Sequence, residues 1–352
     1  MKQPIYTGAW GNCHIQGIAV DRKQGYIYYS FTTKLVKATM NGEIVGSLDG
    51  LVGHLGCIAF NEQDGCVWGS LEYKNDSIGK GILGAIGSDA AFEDAFYIAR
   101  IEVDRIDRVG IPADQSDIMK CVYLREVVED YNATVTDKEG REHLHRYGCS
   151  GIDGLTFAPF PGMTEKDGMY LYVAYGVYGD ESRSDNDHQV LLCYDVKEWK
   201  RYLAPLDQTA MHQSGPDIPE RKFFVYTGNT RYGVQNLEYD RYTNAVFMAV
   251  YRGGKSQFAN YDLFAADWSK APVKARLAGM EEEGETLSLL PMGQRDGESQ
   301  IYGWRFPHGA TGLYSFGDGN WLISENRRTD AGQCGYIFQY VWDEKHPFLT
   351  KG

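Results

Sequence analysis

Histidines stand at related positions along this chain, and they are the first candidates for chemistry. His14 and His54 each precede a short segment of alternating apolar residues, and His308 precedes another. Imidazoles that converge on one point suit a zinc or manganese ion. Alternatively, the rings only bond neighbouring backbone. No HExxH motif is present, and we expect the HLH of residues 143–145 at the surface, because its connector is charged.

Three carboxylates are candidates for acid–base catalysis. Glu72 and Glu325 lie at the ends of two related segments, SLEYKND and ISENRR, and Asp153 lies just before an alternating segment. Carboxylates held around one cavity take different pKa values, so that one can act as an acid and another as a base. Basic residues follow both glutamates, so salt bridges at a rim are the alternative interpretation.

Polar and aromatic residues at the same positions predict contacts with a substrate. Arginine suits a carboxylate or phosphate group, and tyrosine suits a sugar ring. Packing is the alternative role for each aromatic ring. The predicted substrate-binding residues are Gln16, Tyr175, Gln235, Asn236, Arg252 and Arg327.

An acidic segment, DESRSDNDH at residues 180–188, is dense enough in oxygen ligands for calcium. It lacks the sixth-position glycine and the closing glutamate of an EF-hand, so a solvated loop is the competing interpretation. The cofactor stays open, with calcium, zinc or manganese as the candidate divalent metals. The glycine-rich segment GKGILGAIG lacks the Walker pattern and is interpreted as a flexible lid.

An internal repeat indicates which elements position these residues. Residues 4–21 (PIYTGAWGNCHIQGIAVD) match residues 224–240 (FVYTGNTRYGVQNLEYD), and the alternating segment recurs from Gly53, Cys149 and Gly309. Repetition of one strand-turn-strand unit is typical of propellers and solenoids. In register, the equivalent positions are Ile18, Ile58, Leu155, Leu237 and Leu313.

Five such units without a strong helical stretch predict an all-β fold, a five-bladed β-propeller of four-stranded antiparallel blades. One domain over residues 1–352 is expected, with residues 4–8 pairing with the C-terminal strand to close the ring. A β-sandwich, two small β domains and a sixth blade hidden in the long second unit are the alternatives. The expected blades are residues 11–50, 51–128, 147–228, 229–304 and 305–343.

The repeat resembles that of SMP-30/NHL-like propellers. The shared pattern is a small residue before the inner strand, a turn rich in Asp and Asn, a second strand, and a third strand that ends in Asp, as at Asp104, Asp195, Asp267 and Asp343. It covers nearly the whole chain. The resemblance implies a propeller, but that group contains lactonases, esterases and non-catalytic scaffolds, so it does not select a function.

Propeller geometry predicts which residues share a face. The loop into each inner strand and the loop from the second to the third strand open on the same side, where the candidate residues lie. The opposite turns, DRKQG, NEQDG, DRYTN and GDGN, are short and read as turns alone. The long polar loops therefore predict one functional face.

Composition narrows the classes of partner and compartment. The net charge of −13 argues against nucleic acid, and no apolar run reaches the length of a membrane helix. The N-terminal residues lack the apolar stretch of a signal peptide. The seven cysteines form no CxxC pair and suggest a reducing, cytoplasmic location.

The predicted function is a cytosolic, hydrolase-like enzyme that acts on a small polar substrate at the mouth of the central channel. A sugar derivative or an ester is the expected substrate, and metal assistance stays open. The alternatives are a non-catalytic propeller that binds a glycan or a protein, which the lack of a GxSxG motif favours, and a purely structural propeller.

Overall fold

A computed structural model describes residues 3–137 and 140–350 of the chain. Five sheets, antiparallel except for parallel pairs at the outer edges of two of them, surround a channel, and the inner strand of each sheet contacts the inner strands of the sheets before and after it. The ring is therefore closed, and the protein is a five-bladed β-propeller.

The first three blades follow the chain in order from the inner strand outward. Blade 1 consists of Gly17–Asp21, Tyr26–Ser30, Leu35–Thr39 and Ile44–Asp49, with Ile111–Pro112 at its edge. Blade 2 consists of His54–Asn61, Cys66–Tyr73, Ala95–Ile101 and Met119–Tyr123, with Ala204–Pro205 at its edge. Blade 3 consists of Cys149–Ala158, Tyr170–Val177, His188–Tyr194 and Arg221–Tyr226, extended by Glu283–Leu287 and Val273–Arg276.

The last two blades differ in how their outer edges are formed. Blade 4 has three strands, Thr230–Asp240, Ala245–Arg252 and Leu263–Asp267, and single bridges from Leu263 to Trp304 and from Ala266 to Leu289 take the place of a regular fourth strand. A small hairpin, Gln294–Arg295 with Tyr302–Gly303, lies beside it. Blade 5 consists of Leu313–Ser315, Asn320–Thr329, Gly332–Trp342 and the N-terminal Ile5–Ala9, and Phe348–Thr350 also pairs with its third strand.

The N-terminal strand joins the two ends of the chain. Ile5 pairs with Ile337 and Tyr6 with Tyr336. The fully buried Thr7 hydroxyl accepts a hydrogen bond of 2.7 Å from the backbone N–H of Gly335. This pairing covers the edge that the fifth blade would otherwise expose.

Helices and irregular elements lie outside the sheets. Helix α1 spans Ser77–Ile86 between the second and third strands of blade 2, and helix α2 spans Arg125–Asn132 after its fourth strand. A hairpin of Thr134–Thr136 and Glu142–Leu144 follows α2. Short 3₁₀ turns occupy Val103–Arg105, Arg146–Gly148, Glu165–Asp167, Trp199–Arg201 and Gly309–Thr311. Within residues 3–137 and 140–350, no helix is long and apolar enough to cross a membrane.

The core consists of apolar layers between neighbouring blades. Between blades 1 and 2, for example, Tyr28 and Leu35 pack with Leu55 and Val67. Such burial follows from the alternating Val, Ile and Tyr residues, whose period of two directs every second side chain towards the adjacent blade. Near the channel, the Ser30 hydroxyl donates to the carbonyl of Gly56 at 2.7 Å, which ties the second strand of blade 1 to the inner strand of blade 2.

Candidate active site

A cavity of about 350 Å³ opens at one mouth of the channel. Its wall comes from the loops into the inner strands of blades 1–4 and from the ends of second strands, as propeller geometry requires. Six of the residues predicted from sequence line it: His14, Gln16, His54, Glu72, Asp153 and Gln235. Lining residues without a site role predicted from the sequence include Cys13, Thr32 and Lys74, and the aromatic residues Tyr232 and Tyr251 also line the cavity.

Glu72 is held at the cavity wall by three donors. Its Oε1 lies 2.6 Å from Lys74 Nζ and 3.2 Å from His54 Nδ1, and its Oε2 accepts from the backbone N–H of Ile152 at 3.0 Å. Burial alone would raise the pKa of this carboxyl, but Lys74 and His54 outweigh it and lower the pKa. Glu72 is therefore an ionised carboxylate whose hydrogen-bonding positions are largely taken.

Glycine at position 151 is needed for this arrangement. Its φ of 113° lies in a region that favours glycine, and a Cβ atom there would stand 2.1 Å from Glu72 Oε2. The backbone can therefore pass beside the carboxylate only without a side chain.

Lys74 is a buried member of the site that the sequence analysis did not assign. Its side chain is 4% exposed, and its Nζ donates to the carbonyl of Ser150 at 2.7 Å in addition to the contact with Glu72. Glu72 raises the pKa of Lys74 although burial opposes this, so the ammonium stays charged. The spacing in SLEYKND was the available signal, because residues two apart in an extended segment point to the same side.

Asp153 and His54 form the titratable part of the site. Burial, reinforced by the negative Glu72, raises the pKa of Asp153 to about 7, although His54 opposes the rise. Burial would lower the pKa of His54, but Asp153 and Glu72 raise it overall. Asp153 can therefore exchange a proton near neutral pH, and the adjacent imidazole binds a proton more readily than a free histidine, which suits general acid–base catalysis.

Other lining groups near His54 are uncharged. Burial, followed by the neighbouring His54, lowers the pKa of His14 to about 4, so this imidazole is neutral at pH 7. Burial raises the pKa of Cys13, which keeps it a thiol rather than a nucleophilic thiolate. Gln16 donates to the Thr32 hydroxyl at 3.0 Å.

Helix α1 roofs the cavity with the apolar residues Ile78, Ile82 and Ala85. Asp76 caps its N-terminus by accepting from the N–H groups of Ile78 and Gly79 at 3.0 and 2.8 Å. The segment interpreted as a flexible lid is thus a capped helix. Two contacts tie it to the propeller: Tyr178 donates to Asp76 at 2.6 Å, and Asn12 donates to the carbonyl of Ala85 at 3.1 Å.

Three predicted site residues of blade 5 form a separate cluster. Glu325 lies 3.9 Å from His308 and 3.2 Å from Arg327, and the guanidinium of Arg327 lies over the ring of Tyr336. None of the three lines the cavity. His308 therefore does not join His14 and His54, and among the described residues no group of three His, Cys, Asp or Glu is arranged to hold a metal ion.

Three further predicted substrate contacts have structural partners instead. Tyr175 is fully buried and donates to Asp130 at 2.8 Å. Asn236, also fully buried, donates to the carbonyls of Gln16 and Ala310 across the channel. Arg252 forms a two-point ion pair with Asp262 at 2.9 and 2.7 Å. None of the three lines the cavity.

The acidic loop of residues 180–188 is neutralised by protein cations. Arg183 forms two bonds of 2.8 Å with Asp185. The buried ammonium of Lys255 contacts Asp187 and Asn186, the latter at 2.9 Å. Both aspartates that the calcium interpretation requires therefore already have a counter-ion in the chain.

Comparisons with known proteins identify propellers of low sequence identity. No family model matches the sequence, and no curated protein is similar to it. A GH43 β-1,3-galactosidase solved with galactodeoxynojirimycin has a TM-score of 0.44 at 11% identity, over 99% of this chain and 98% of that one. A gluconolactonase from Xanthomonas campestris has a TM-score of 0.34 at 9% identity, over 95% and 78%. The Dos1 propeller has a TM-score of 0.34 at 10% identity, over 96% and 70%.

Proposed function

We propose that this protein is a hydrolase that acts on a small polar substrate in the cavity beneath α1. One observation carries the proposal: Asp153, with a pKa of about 7, shares the cavity with His54, whose Nδ1 is held by the ionised Glu72. Neighbouring titratable groups whose surroundings give them different pKa values are typical of acid–base sites.

His54 acts as the general base in this proposal, in the form of the enzyme in which its imidazole is neutral. Glu72 occupies Nδ1, which leaves Nε2 to accept a proton from an attacking water molecule. A carboxylate behind an imidazole selects the tautomer and stabilises the imidazolium that forms. Glu72 is a positioning residue here, since its oxygens are already engaged by Lys74, His54 and the Ile152 amide.

Asp153 acts as the general acid. Water attacks the substrate and gives its proton to His54, while the bond to the leaving oxygen breaks and that oxygen takes the proton of Asp153. Transfer of a proton from His54 back to Asp153 then restores both groups. Every proton is thus accounted for within the pair.

The lining favours a sugar derivative or a neutral ester. The volume is in the range of small-molecule sites, and the polar residues Gln16, Thr32 and Gln235 line the cavity together with the apolar residues of α1. The ammonium of Lys74 is paired with Glu72, and Arg252 and Arg327 lie elsewhere, so an anionic substrate would lack a free cation.

A reducing compartment fits the state of the cysteines. All seven are free, and six are buried. We therefore propose that the enzyme works in the cytoplasm.

A substrate screen with matched variants tests the function. Aryl glycosides, aryl esters and lactones are assayed with the wild type, Asp153→Asn, His54→Asn and Glu325→Gln. We expect turnover to fall by about 10²–10⁴-fold in the first two variants and to persist in the third, since Glu325 lies outside the cavity.

Two outcomes would contradict the proposal that the protein is a hydrolase. Wild-type protein that binds a sugar without turning over any member of the screen would support the glycan-binding alternative. Equal turnover by wild type and Asp153→Asn would remove the assigned acid.

A further inference from the structure

A second cavity, of about 330 Å³, opens at the opposite mouth of the channel. From the sequence, only ordinary turns are expected on this face. All five blades contribute to its wall, and five half-buried aromatic residues line it: Phe60, Phe157, Tyr239, Tyr314 and Phe316. An aromatic cup at a channel mouth is a preformed surface for a ligand.

Glu238 occupies an inner-strand position at which the other four blades carry uncharged residues. One residue after the equivalent positions Ile18, Ile58, Leu155, Leu237 and Leu313, the other four blades carry Ala19, Ala59, Thr156 and Tyr314. The strand pairing supports this alignment, since Leu237 pairs with Met248 as Ile18 pairs with Tyr29. The acidic residue is thus a departure from the repeat and needs its own explanation.

The Glu238 carboxylate has no cationic partner within ion-pair distance in the described part of the chain. Its Oε1 accepts from the backbone N–H of Ser315 at 2.7 Å. Burial, followed by the neighbouring Asp240, raises its pKa to about 8. Glu238 is half-buried, and a carboxyl shielded from water without a counter-ion lowers stability, a cost that is typical of groups kept for a function.

The two arginines of this cavity are engaged with other groups. Arg241 pairs with Glu165 at 3.1 Å, and Arg22 donates to the carbonyl of Phe316 at 3.0 Å. The guanidinium of Arg22 also lies 5.8 Å from the centre of the Phe316 ring. Neither arginine is close enough to form an ion pair with Glu238.

We propose that this cavity binds an organic cation, an amine or a quaternary ammonium group, with Glu238 as its counter-ion. Aromatic faces attract cations through their quadrupoles, and a carboxylate at a partly buried site strengthens the attraction because water screens it less. Both features meet here in one cavity, in which Arg22 and Arg241 contact other groups and no cation of the described residues forms an ion pair with Glu238.

Cation binding and ionisation of Glu238 are coupled. A bound cation favours the carboxylate, so binding below pH 8 releases a proton and affinity rises with pH through that range. Charged and titratable groups near Glu238 come from every blade: Arg22, Cys57, Glu62, Glu165, Asp240, Arg241 and Tyr314.

Calorimetry with benzylamine and tetramethylammonium tests the site, and benzyl alcohol serves as the uncharged control. We expect both cations to bind at least about tenfold more tightly than the alcohol, with proton release detected as a heat that depends on the buffer. Glu238→Gln keeps the contact with the Ser315 amide and should weaken cation binding about tenfold. Glu43→Gln, at an exposed glutamate outside this cavity, is the matched control and should retain binding.

Three results would overturn the proposal: no binding of either cation, equal binding of benzyl alcohol, or unchanged affinity in Glu238→Gln. Thermal unfolding should show that this variant is at least as stable as the wild type, because an uncompensated carboxyl is removed. Asp153→Asn should leave benzylamine binding intact, so this site and the hydrolase site can fail separately.

Discussion

His54 Nδ1 lies 3.2 Å from Glu72 Oε1, and both side chains are almost fully buried at the mouth of the channel. His54 begins the inner strand of blade 2, and Glu72 lies opposite it in the second strand. A single pair of antiparallel strands thus builds the imidazole–carboxylate unit. Lys74, two residues further along, balances its charge.

Glu72 and Lys74 should be strongly coupled in stability. Glu72→Gln or Lys74→Met alone leaves a buried charge without its partner, and each should lower the free energy of unfolding by about 3–5 kcal/mol. The double variant should lose clearly less than the sum. Denaturant unfolding measures the cycle. Asp49→Asn, at the partly exposed Lys34–Asp49 pair, should cost less than about 1 kcal/mol. Additive losses at positions 72 and 74 would contradict the coupling.

Asp153→Asn should change how stability depends on pH. The pKa of Asp153 rises from 3.8 to about 7 on folding, so between these values the folded state holds more protons than the unfolded state. The contribution of Asp153 to the free energy of unfolding therefore falls as pH rises through that window. Relative to the wild type, Asp153→Asn should gain stability from about pH 4 to 7 and then level off. Chemical unfolding at several pH values tests this, and parallel curves would refute the raised pKa.

Asp76 should control the order of α1 and access to the cavity. Asp76→Ala removes the N-cap and the bond from Tyr178, which should destabilise the helix by about 0.5–2 kcal/mol. Faster amide hydrogen exchange in residues 77–86 and a higher KM are expected. Asp76→Asn keeps a capping oxygen and should exchange more slowly than Asp76→Ala. Equal hydrogen exchange in the wild type, Asp76→Ala and Asp76→Asn would show that the Asp76 cap does not stabilise α1.

Variants of Tyr175 and Tyr251 should distinguish a role in packing from contact with the substrate. Tyr175→Phe removes the buried bond to Asp130 and should cost about 0.5–1.5 kcal/mol of stability without changing KM. Tyr251→Phe alters a group that lines the cavity, so it should change KM with little effect on stability. Thermal unfolding and steady-state kinetics on both variants measure the contrast. A changed KM in Tyr175→Phe would show that Tyr175 contributes to substrate binding.

The sequence predicted much of the cavity because loops of a propeller alternate between two faces. His14, His54, Asp153 and Gln235 lie before or in the first half of the inner strands of four blades, and all of them line one cavity. Aligned repeats thus indicated which distant residues share a face. The same alignment did not predict a role for Glu238, since its significance lies in having no ion-pair partner among the residues that the structure describes.

Some predicted site residues lie outside the cavity because a shift of one position along a strand reverses the direction of a side chain. Gly176 lines the cavity while the adjacent Tyr175 points into the core, as successive residues of a strand do. Likewise, Gln235 lines the cavity, while the adjacent Asn236 is buried against the carbonyls of Gln16 and Ala310. In blade 5, Arg327 lies near the tip of the long hairpin of Asn320–Thr329 and Gly332–Trp342, which carries it away from the channel.

The sequence by itself determined the repeating unit, the number of blades and the face that gathers most of the polar residues, because these follow from period and loop order. Only the tertiary structure decided that Glu72 is ionised, that Asp153 titrates near pH 7 and that Lys255 neutralises the acidic loop. Charge and proton affinity depend on burial and on neighbours a few ångströms away, and those neighbours come from segments far apart in the chain.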